Sequence, residues 1–235
     1  MILAAGKGER MRPLTLKTPK PLLRVNDIPL LEHHLRRLAE AGVQNVIVNV
    51  SHLADAIVSF VGDGSRWGLS ISISREETPL ETAGGIAKAL PLLGNDPFLV
   101  LSGDVFSDYD YAALLLHQPS QGGAHLVMVD NPIHHQQGDY GFEEATHEGN
   151  AQRFGLLVSD SKATLRLTYS GIGVFSPDMF HAVPEGAVPL RPLLDEQVER
   201  GRITAEYFAG RWSDIGTPER LDLINREFDQ STGTR

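Results

Sequence analysis

Strand-like and helix-like runs alternate along the first hundred residues, and this alternation limits the fold more than any other feature of the chain. Residues 1–5 form a short apolar run, and residues 30–41 carry Leu31, Leu35 and Leu38 at helical spacing before Gly42 stops them. Residues 43–50 are rich in β-branched side chains, 54–61 read as a short helix, and 69–74 alternate as a strand. A helix over 84–93 follows two glycines, and 97–101 is an unbroken apolar run. Strand, helix and strand in this order predict a parallel sheet with crossover helices, and the continuous run at 97–101 suits its buried centre.

The second half is less regular. Residues 109–117 read as a helix, 124–129 as a strand, and 130–153 as a polar loop. Strands at 154–158, 164–168 and 170–176, with turn signals between them, predict an antiparallel extension. Helices at 189–200 and 217–228 flank an extended piece over 204–215. With 235 residues, 41% of them apolar, and no repeat or low-complexity linker, the chain is expected to form one domain over 1–235.

Charge narrows the partners. The net charge is −9, yet residues 1–24 hold six basic side chains (Lys7, Arg10, Arg12, Lys17, Lys20, Arg24) against one acid, Glu9. Nucleic-acid binding along a backbone needs an extended basic face, so no nucleic-acid partner is expected. A small, highly charged anion suits one local basic patch. Zero cysteines exclude disulfides and thiolate metal sites, leaving oxygen or imidazole as ligands. No run approaches eighteen apolar residues and no secretion signal opens the chain, so no membrane partner and a cytoplasmic location are expected.

The basic patch surrounds a glycine turn. Gly6 and Gly8 follow the first apolar run, and without Cβ atoms they let backbone N–H groups approach an anion. The dinucleotide fingerprint fails because Met11 stands where its third glycine belongs, and no Gly-Lys-Ser/Thr triplet makes a Walker loop. Ser102-Gly103-Asp104 ends the central apolar run, where α/β folds place ligands, and a carboxylate beside a triphosphate there is a reasonable Mg²⁺ ligand. Read locally, a lone Gly-Asp such as Gly103-Asp104 is more commonly a helix cap or turn, Thr82 can be an N-cap for the third helix, and Thr217-Pro218-Glu219 reads as a helix start with proline at its first position. Adjacent His134 and His135 point to opposite sides of an extended chain and do not chelate one ion easily.

Leu3-Ala4-Ala5-Gly6-Lys7-Gly8-Glu9-Arg10-Met11-Arg12-Pro13-Leu14-Thr15, with Thr18-Pro19-Lys20-Pro21-Leu22, resembles the signature of the sugar-1-phosphate nucleotidylyltransferases. Trp212-Ser213-Asp214-Ile215-Gly216-Thr217-Pro218-Glu219 resembles the late motif of that family. The resemblance implies an α/β fold with a Rossmann-like, mixed and mostly parallel sheet and helices on both faces, the nucleotide-diphospho-sugar transferase fold. Its nucleotide-binding part would cover residues 1–105 and its sugar-binding part 106–230. The substrates implied are UTP and a sugar 1-phosphate, with Mg²⁺ held by Asp104 and Asp214. Arg10, Lys20 and Asp104 take the catalytic roles, and Leu3, Ala4, Ala5, Gly6, Gly8, Glu9, Arg10, Lys20, Glu81, Thr82 and Gly85 the nucleotide. Ser102, Gly84, Asp139 and Gly171 would meet the sugar.

Within the family, residues 102–110, 129–132 and 167–172 look like the branch whose acceptor is N-acetylmuramic acid 1-phosphate. Ser102 departs from that branch, where asparagine is expected, and residues 75–78 and 140–165 match it poorly. Other nucleotide sugars of the GDP-mannose, GDP-heptose or dTDP-glucose type stay open, as do a choline phosphate acceptor and a non-catalytic homologue that senses nucleotide sugars. No assembly arm is apparent, and a monomer is expected.

Overall fold

The computed structural model describes residues 1–145, 153–158, 163 and 165–232. In chain order the elements are β1 (Ile2–Leu3), β2 (Arg24–Val25), β3 (Ile28–Pro29), α1 (Leu30–Glu40), β4 (Asn45–Val50), α2 (Ala54–Val61), β5 (Ser70–Arg75), α3 (Glu81–Leu93) and β6 (Phe98–Ser102). They continue with β7 (Val105–Ser107), α4 (Tyr111–Leu114), β8 (Ala124–Val129), β9 (Tyr140–Glu144), β10 (Arg153–Val158), β11 (Leu165–Phe175), α5 (Arg191–Glu199), β12 (Ile203–Tyr207), β13 (Trp212–Asp214) and α6 (Pro218–Thr232). Two compact units emerge: one from Met1–Pro79, Leu101–Ala112 and Arg211–Arg235, the other from Leu80–Val100 and Ala113–Gly210.

In the first unit β5, β4, β1 and the end of β6 lie side by side, all parallel, as the alternating pattern predicts. The β-branched run appears as β4, buried from Val46 to Val50, and α1 buries Leu30, Leu31, Leu35 and Leu38. Between β1 and α1 the chain makes three single 3-10 turns, at Glu9–Met11, Leu14–Leu16 and Lys20–Leu22. Met11, fully buried, packs with Leu23, Val25, Leu30, Phe106, Ile215, Leu221 and Ile224 and anchors this segment. The small β2–β3 hairpin carries no sequence signal longer than two residues.

In the second unit hydrogen-bonded neighbours run β11, β8, β12, β10 and β9, and β9 pairs back onto β11. The pairing thus closes on itself and leaves no free edge among these strands. Only β8 and β12 are parallel within this set, so the extension is largely antiparallel, as its turn signals predict.

Several expected boundaries move. The strands expected at 164–168 and 170–176 are one strand, β11, whose register with β8 shifts between Tyr169 and Gly173 around Gly171 at φ +80°. A bulge bends a strand without ending it, which a turn signal alone does not distinguish. Part of the loop expected over 130–153 is β9, whose Tyr140 and Phe142 are buried; residues 146–152 of it lie outside the described residues. The helix expected over 109–117 shrinks to α4, which buries Tyr111 and Leu114, while the buried Tyr109 precedes it. The extended piece at 204–215 divides into β12 and β13.

Candidate active site

The carboxyl end of β1 is fixed by a buried amide. Asn49, on β4, accepts from the N–H of Ala4 at 2.8 Å and donates to the carboxylate of Glu76 at 2.7 Å. The glycine loop leaves from that point. Gly6 and Lys7 are exposed, whereas Gly8 sits at φ +61° with Thr15 and Lys20 packed against it. A Cβ on Gly8 would lie 2.9 Å from the Thr15 methyl and 3.3 Å from Lys20 Cβ, so both conformation and packing demand glycine. The Thr15 hydroxyl, itself buried, donates to the Gly8 carbonyl at 2.7 Å and closes the loop. Arg10 stands exposed on the turn that follows, and Glu9 pairs with Arg12 at 3.5 Å.

β6 delivers the second part. Leu3 pairs with Ser102, and Gly103 donates to the Leu3 carbonyl at 2.9 Å. Asp104 follows immediately, and its carbonyl accepts from Ile215 N–H at 2.8 Å. Because β13 pairs with β7 with Asp214 opposite Val105, Asp104 and Asp214 arrive on neighbouring stretches of backbone from positions 110 apart in sequence. Each carboxylate has a cation: Lys20 Nζ contacts Asp104 Oδ2, and Arg220 Nη1 contacts Asp214 Oδ2. Gly216 makes room for the Arg220 guanidinium, which a Cβ at that position would strike. The Lys20, Asp104 and Asp214 side chains are 11%, 42% and 29% exposed, so both carboxylates keep an open side.

The start of α6 behaves as its sequence suggests. Thr217 caps it, with its carbonyl accepting from Leu221 and its hydroxyl 3.4 Å from Arg220 N–H, and the Thr217 hydroxyl holds the Glu219 carboxyl below the ordinary range. Within electrostatic reach of Asp104 lies His34 on α1, 1% exposed, with Nδ1 2.9 Å from the Tyr111 hydroxyl. Burial, and next the neighbouring His33, lower its pKa to about 4, so the ring is neutral at pH 7.

The other expected contacts belong to the second unit. α3 begins at Glu81, which adopts φ +59°, and its N-cap position is Leu80 rather than Thr82. The N–H groups of Ala83 and Gly84 are not left open, since both donate to the Val188 carbonyl, at 2.9 and 3.1 Å. Gly84 is required by packing, because a Cβ there would meet the Gly186 carbonyl. Asp139 is heavily engaged: one oxygen accepts from Tyr169 N–H at 2.9 Å, and the other lies 3.1 Å from His135 Nε2 and 3.5 Å from Arg191. Arg191 also donates to Asp195 at 2.7 Å and lies over the Tyr140 ring. The structure thus brings Leu3, the glycine loop, Lys20, Ser102, Asp104 and Asp214 together in one unit, and holds Glu81, Thr82, Gly84, Gly85, Asp139 and Gly171 in the other.

A glycine loop at a strand end, with a lysine and two aspartates on converging backbone, is phosphate-handling geometry. The nucleotidyl transferase family model matches residues 1–231. The chain belongs to that family. This nucleotidyltransferase is 42% identical over 94% of both chains to the N-acetylmuramate alpha-1-phosphate uridylyltransferase of Neisseria meningitidis serogroup B. It is 34% identical to the mannose-1-phosphate guanylyltransferase of Mycobacterium tuberculosis, matching over 99% of its own length and 64% of that enzyme's. Among solved structures, a Bacillus anthracis protein provisionally assigned as a glucose-1-phosphate thymidylyltransferase superposes with a TM-score of 0.78 at 21% identity, covering 96% of this chain and 93% of that one. The mixed sheet with helices on both sides is the fold of such enzymes.

Asn49, Arg220 and His34 are placed by the structure and were not singled out by the sequence. Asn49 lies inside a β-branched run and His34 inside a leucine-spaced helix, so each is a polar residue where the pattern calls for an apolar one. Arg220 gives no such signal, because a basic residue in the first turn of a helix looks like any solvated one. Enzymes of this family commonly use a divalent metal. Two half-exposed carboxylates without imidazole form a hard-oxygen donor set, which fits Mg²⁺ chemistry. Among the described residues, no helix is long and apolar enough to cross a membrane.

Proposed function

We propose that this nucleotidyltransferase transfers UMP from UTP to N-acetylmuramic acid α-1-phosphate, giving UDP-N-acetylmuramic acid and pyrophosphate, a step that returns cell-wall sugar to use. The observation that carries the reading is the 42% identity extending over 94% of both this chain and the Neisseria uridylyltransferase. A phosphate oxygen of the acceptor forms a bond to the α-phosphorus of UTP, and the bond from that phosphorus to the β-phosphate bridge oxygen breaks in line with it. The acceptor phosphate is already ionised at neutral pH, so no protein nucleophile is needed. What remains for the chain is positioning and charge neutralisation.

Arg10 and the N–H groups of the glycine loop hold the β- and γ-phosphates that leave as pyrophosphate. Lys20 turns from Asp104 to the charge shared between the attacking and α-phosphates. Asp104 and Asp214 would hold Mg²⁺, which when bound supplies Lewis-acid neutralisation of phosphate oxygens. Arg220 keeps Asp214 oriented through their ion pair. Glu81, Thr82 and Gly85 contact base and ribose, and Ser102, Gly84, Asp139 and Gly171 form the sugar side.

A second reading keeps the chemistry and changes the pair of substrates, supported by the 34% identity to the guanylyltransferase. Pyrophosphate release with Mg²⁺, crossing UTP, GTP, dTTP and CTP against the 1-phosphates of N-acetylmuramic acid, N-acetylglucosamine, glucose and mannose, separates the two. Turnover confined to UTP with the muramic acid phosphate is expected. Turnover with another pair discards the muramic acid assignment, and silence across the panel discards catalysis with these substrates.

A further inference from the structure

Away from the phosphate-handling residues, the second unit assembles three ligand-type side chains that no motif joins. His117 lies in the segment after α4, His125 on β8 and Glu206 on β12. The parallel pairing of β8 with β12 sets Thr204 opposite His125 and Glu206 two residues further on, on the face that Thr204 shares. Their ligand atoms all lie within 4.8 Å of one another. His117 Nε2 and His125 Nε2 both face Glu206 Oε2, at 3.9 and 4.0 Å. The two rings stack 3.7 Å apart and 7° from parallel, beside the Phe154 ring.

His125 supplies a second, independent observation. It is 3% exposed, its Nδ1 is held 2.7 Å from the Thr204 hydroxyl, and its Nε2 is buried without a hydrogen-bond partner. With the proton on Nδ1, Nε2 keeps a bare lone pair 4.0 Å from a carboxylate oxygen. With the proton on Nε2, the nearest carboxylate oxygen is too far for a hydrogen bond. Either tautomer leaves a buried polar atom unsatisfied, which folded proteins rarely tolerate without reason. The Thr204 contact also resembles the outer-shell hydrogen bond that fixes a ligating imidazole through its other nitrogen.

We propose that His117, His125 and Glu206 form a site for a borderline transition-metal ion of the Zn²⁺ class, with a fourth position open on the partly exposed His117 side. Two imidazoles and a carboxylate suit Zn²⁺ or Co²⁺ better than Mg²⁺, which prefers oxygen ligands alone. Ligands at about 2.0–2.2 Å in a tetrahedron bring donor atoms to about 3.3–3.6 Å, so both imidazole–carboxylate distances close by roughly half an ångström on binding, and the partly exposed His117 ring swings out of the stack, because rings 7° from parallel do not aim their in-plane lone pairs at one ion. The ion would tie the segment after α4 to β8 and β12. The proposal is independent of the substrate assignment.

The test uses the untagged chain, stripped with chelator and kept in excess Mg²⁺ so that Asp104 and Asp214 are not read out. Co²⁺ is titrated while visible absorption is followed. One Co²⁺ per chain is expected, with the intense d–d bands of a four- or five-coordinate site, displaced by Zn²⁺ and not by Mg²⁺. At a hundred times the Kd, Zn²⁺ should raise Tm by about 5–10 °C. His117→Ala, on the exposed side, should fold normally and weaken Co²⁺ binding at least tenfold; His125→Ala should do the same. Absence of binding, an octahedral spectrum, or unchanged affinity in His117→Ala would overturn the proposal. If His125→Ala does not fold, His117→Ala decides alone.

Discussion

Gly103→Ala gives the sharpest test of how the structure delivers Asp104. The Cβ would lie 2.6 Å from the Leu3 carbonyl oxygen, 0.4 Å inside the 3.0 Å limit that Cβ atoms essentially never breach. Because the obstacle is backbone, no rotamer change relieves it. Leu3 is held on its other side by pairing with Asn49, so β1 cannot simply retreat. The strain costs about 1–3 kcal/mol by analogy with overpacking, and the stretched Gly103 N–H to Leu3 hydrogen bond adds about 1 kcal/mol. Reduced freedom of the unfolded chain returns about 0.4–1 kcal/mol. The net loss of about 1–4 kcal/mol corresponds to a fall in Tm of roughly 2–15 °C for a domain of this size. Since Asp104 is the next residue, kcat should fall roughly tenfold or more by misplacement. Gly6→Ala is the matched control: its backbone is not left-handed and nothing among the described residues lies within 4 Å of the added methyl. It should raise Tm by about 1–4 °C, from the reduced freedom of the unfolded chain alone, while raising KM for the nucleoside triphosphate. Thermal melts and pyrophosphate release on both variants check the pair. A Gly103→Ala protein with unchanged Tm and kcat would refute the account of this contact.

Three further outcomes follow from the same geometry. Lys20→Ala should fold and lose about 10²–10³ in kcat, the usual cost of removing one preorganised donor; near-normal pyrophosphate release would remove lysine from its role. Arg220→Ala removes the ion pair that orients Asp214, and the loss of that orientation should raise the Mg²⁺ concentration needed for half-maximal rate, with Tm falling by a few degrees, both read by titration and melting. His34 has a folded pKa of about 4 against an ordinary 6.5, so between those values the unfolded chain binds more protons and stability falls as pH falls. Its full contribution is present above pH 6.5 and is lost below about pH 4, a total of about 3 kcal/mol. Urea titrations at pH 7 and pH 5 should show a smaller drop for His34→Gln than for the parent chain; equal drops would place the acid sensitivity elsewhere.

What could be read from the sequence and what could not divides by range. Residues 43–50 and 30–41 announce β4 and α1 because the pattern that names each element is contained in it. The glycine loop and Lys20 are legible for the same reason, being about a dozen residues apart and kept in one motif. α3 shows the limit. Thr82 looks like a cap by local chemistry, but the chain turns at Leu80 and Glu81 because Val188, a hundred residues on, offers the carbonyl that accepts from Ala83 and Gly84. β11 shows it again, since its bulge at Gly171 carries the glycine of a turn while β8 and β9 hold the strand together across it. The polar constellations are the extreme case. Arg220 matters only because β13 pairs with β7, and His117, His125 and Glu206 meet only because β12 lies parallel to β8 in one register. A shift of one residue in that register would turn Glu206 to the opposite face, away from both imidazoles. Such sites are properties of strand pairing, so a sequence can supply their residues without revealing that they meet.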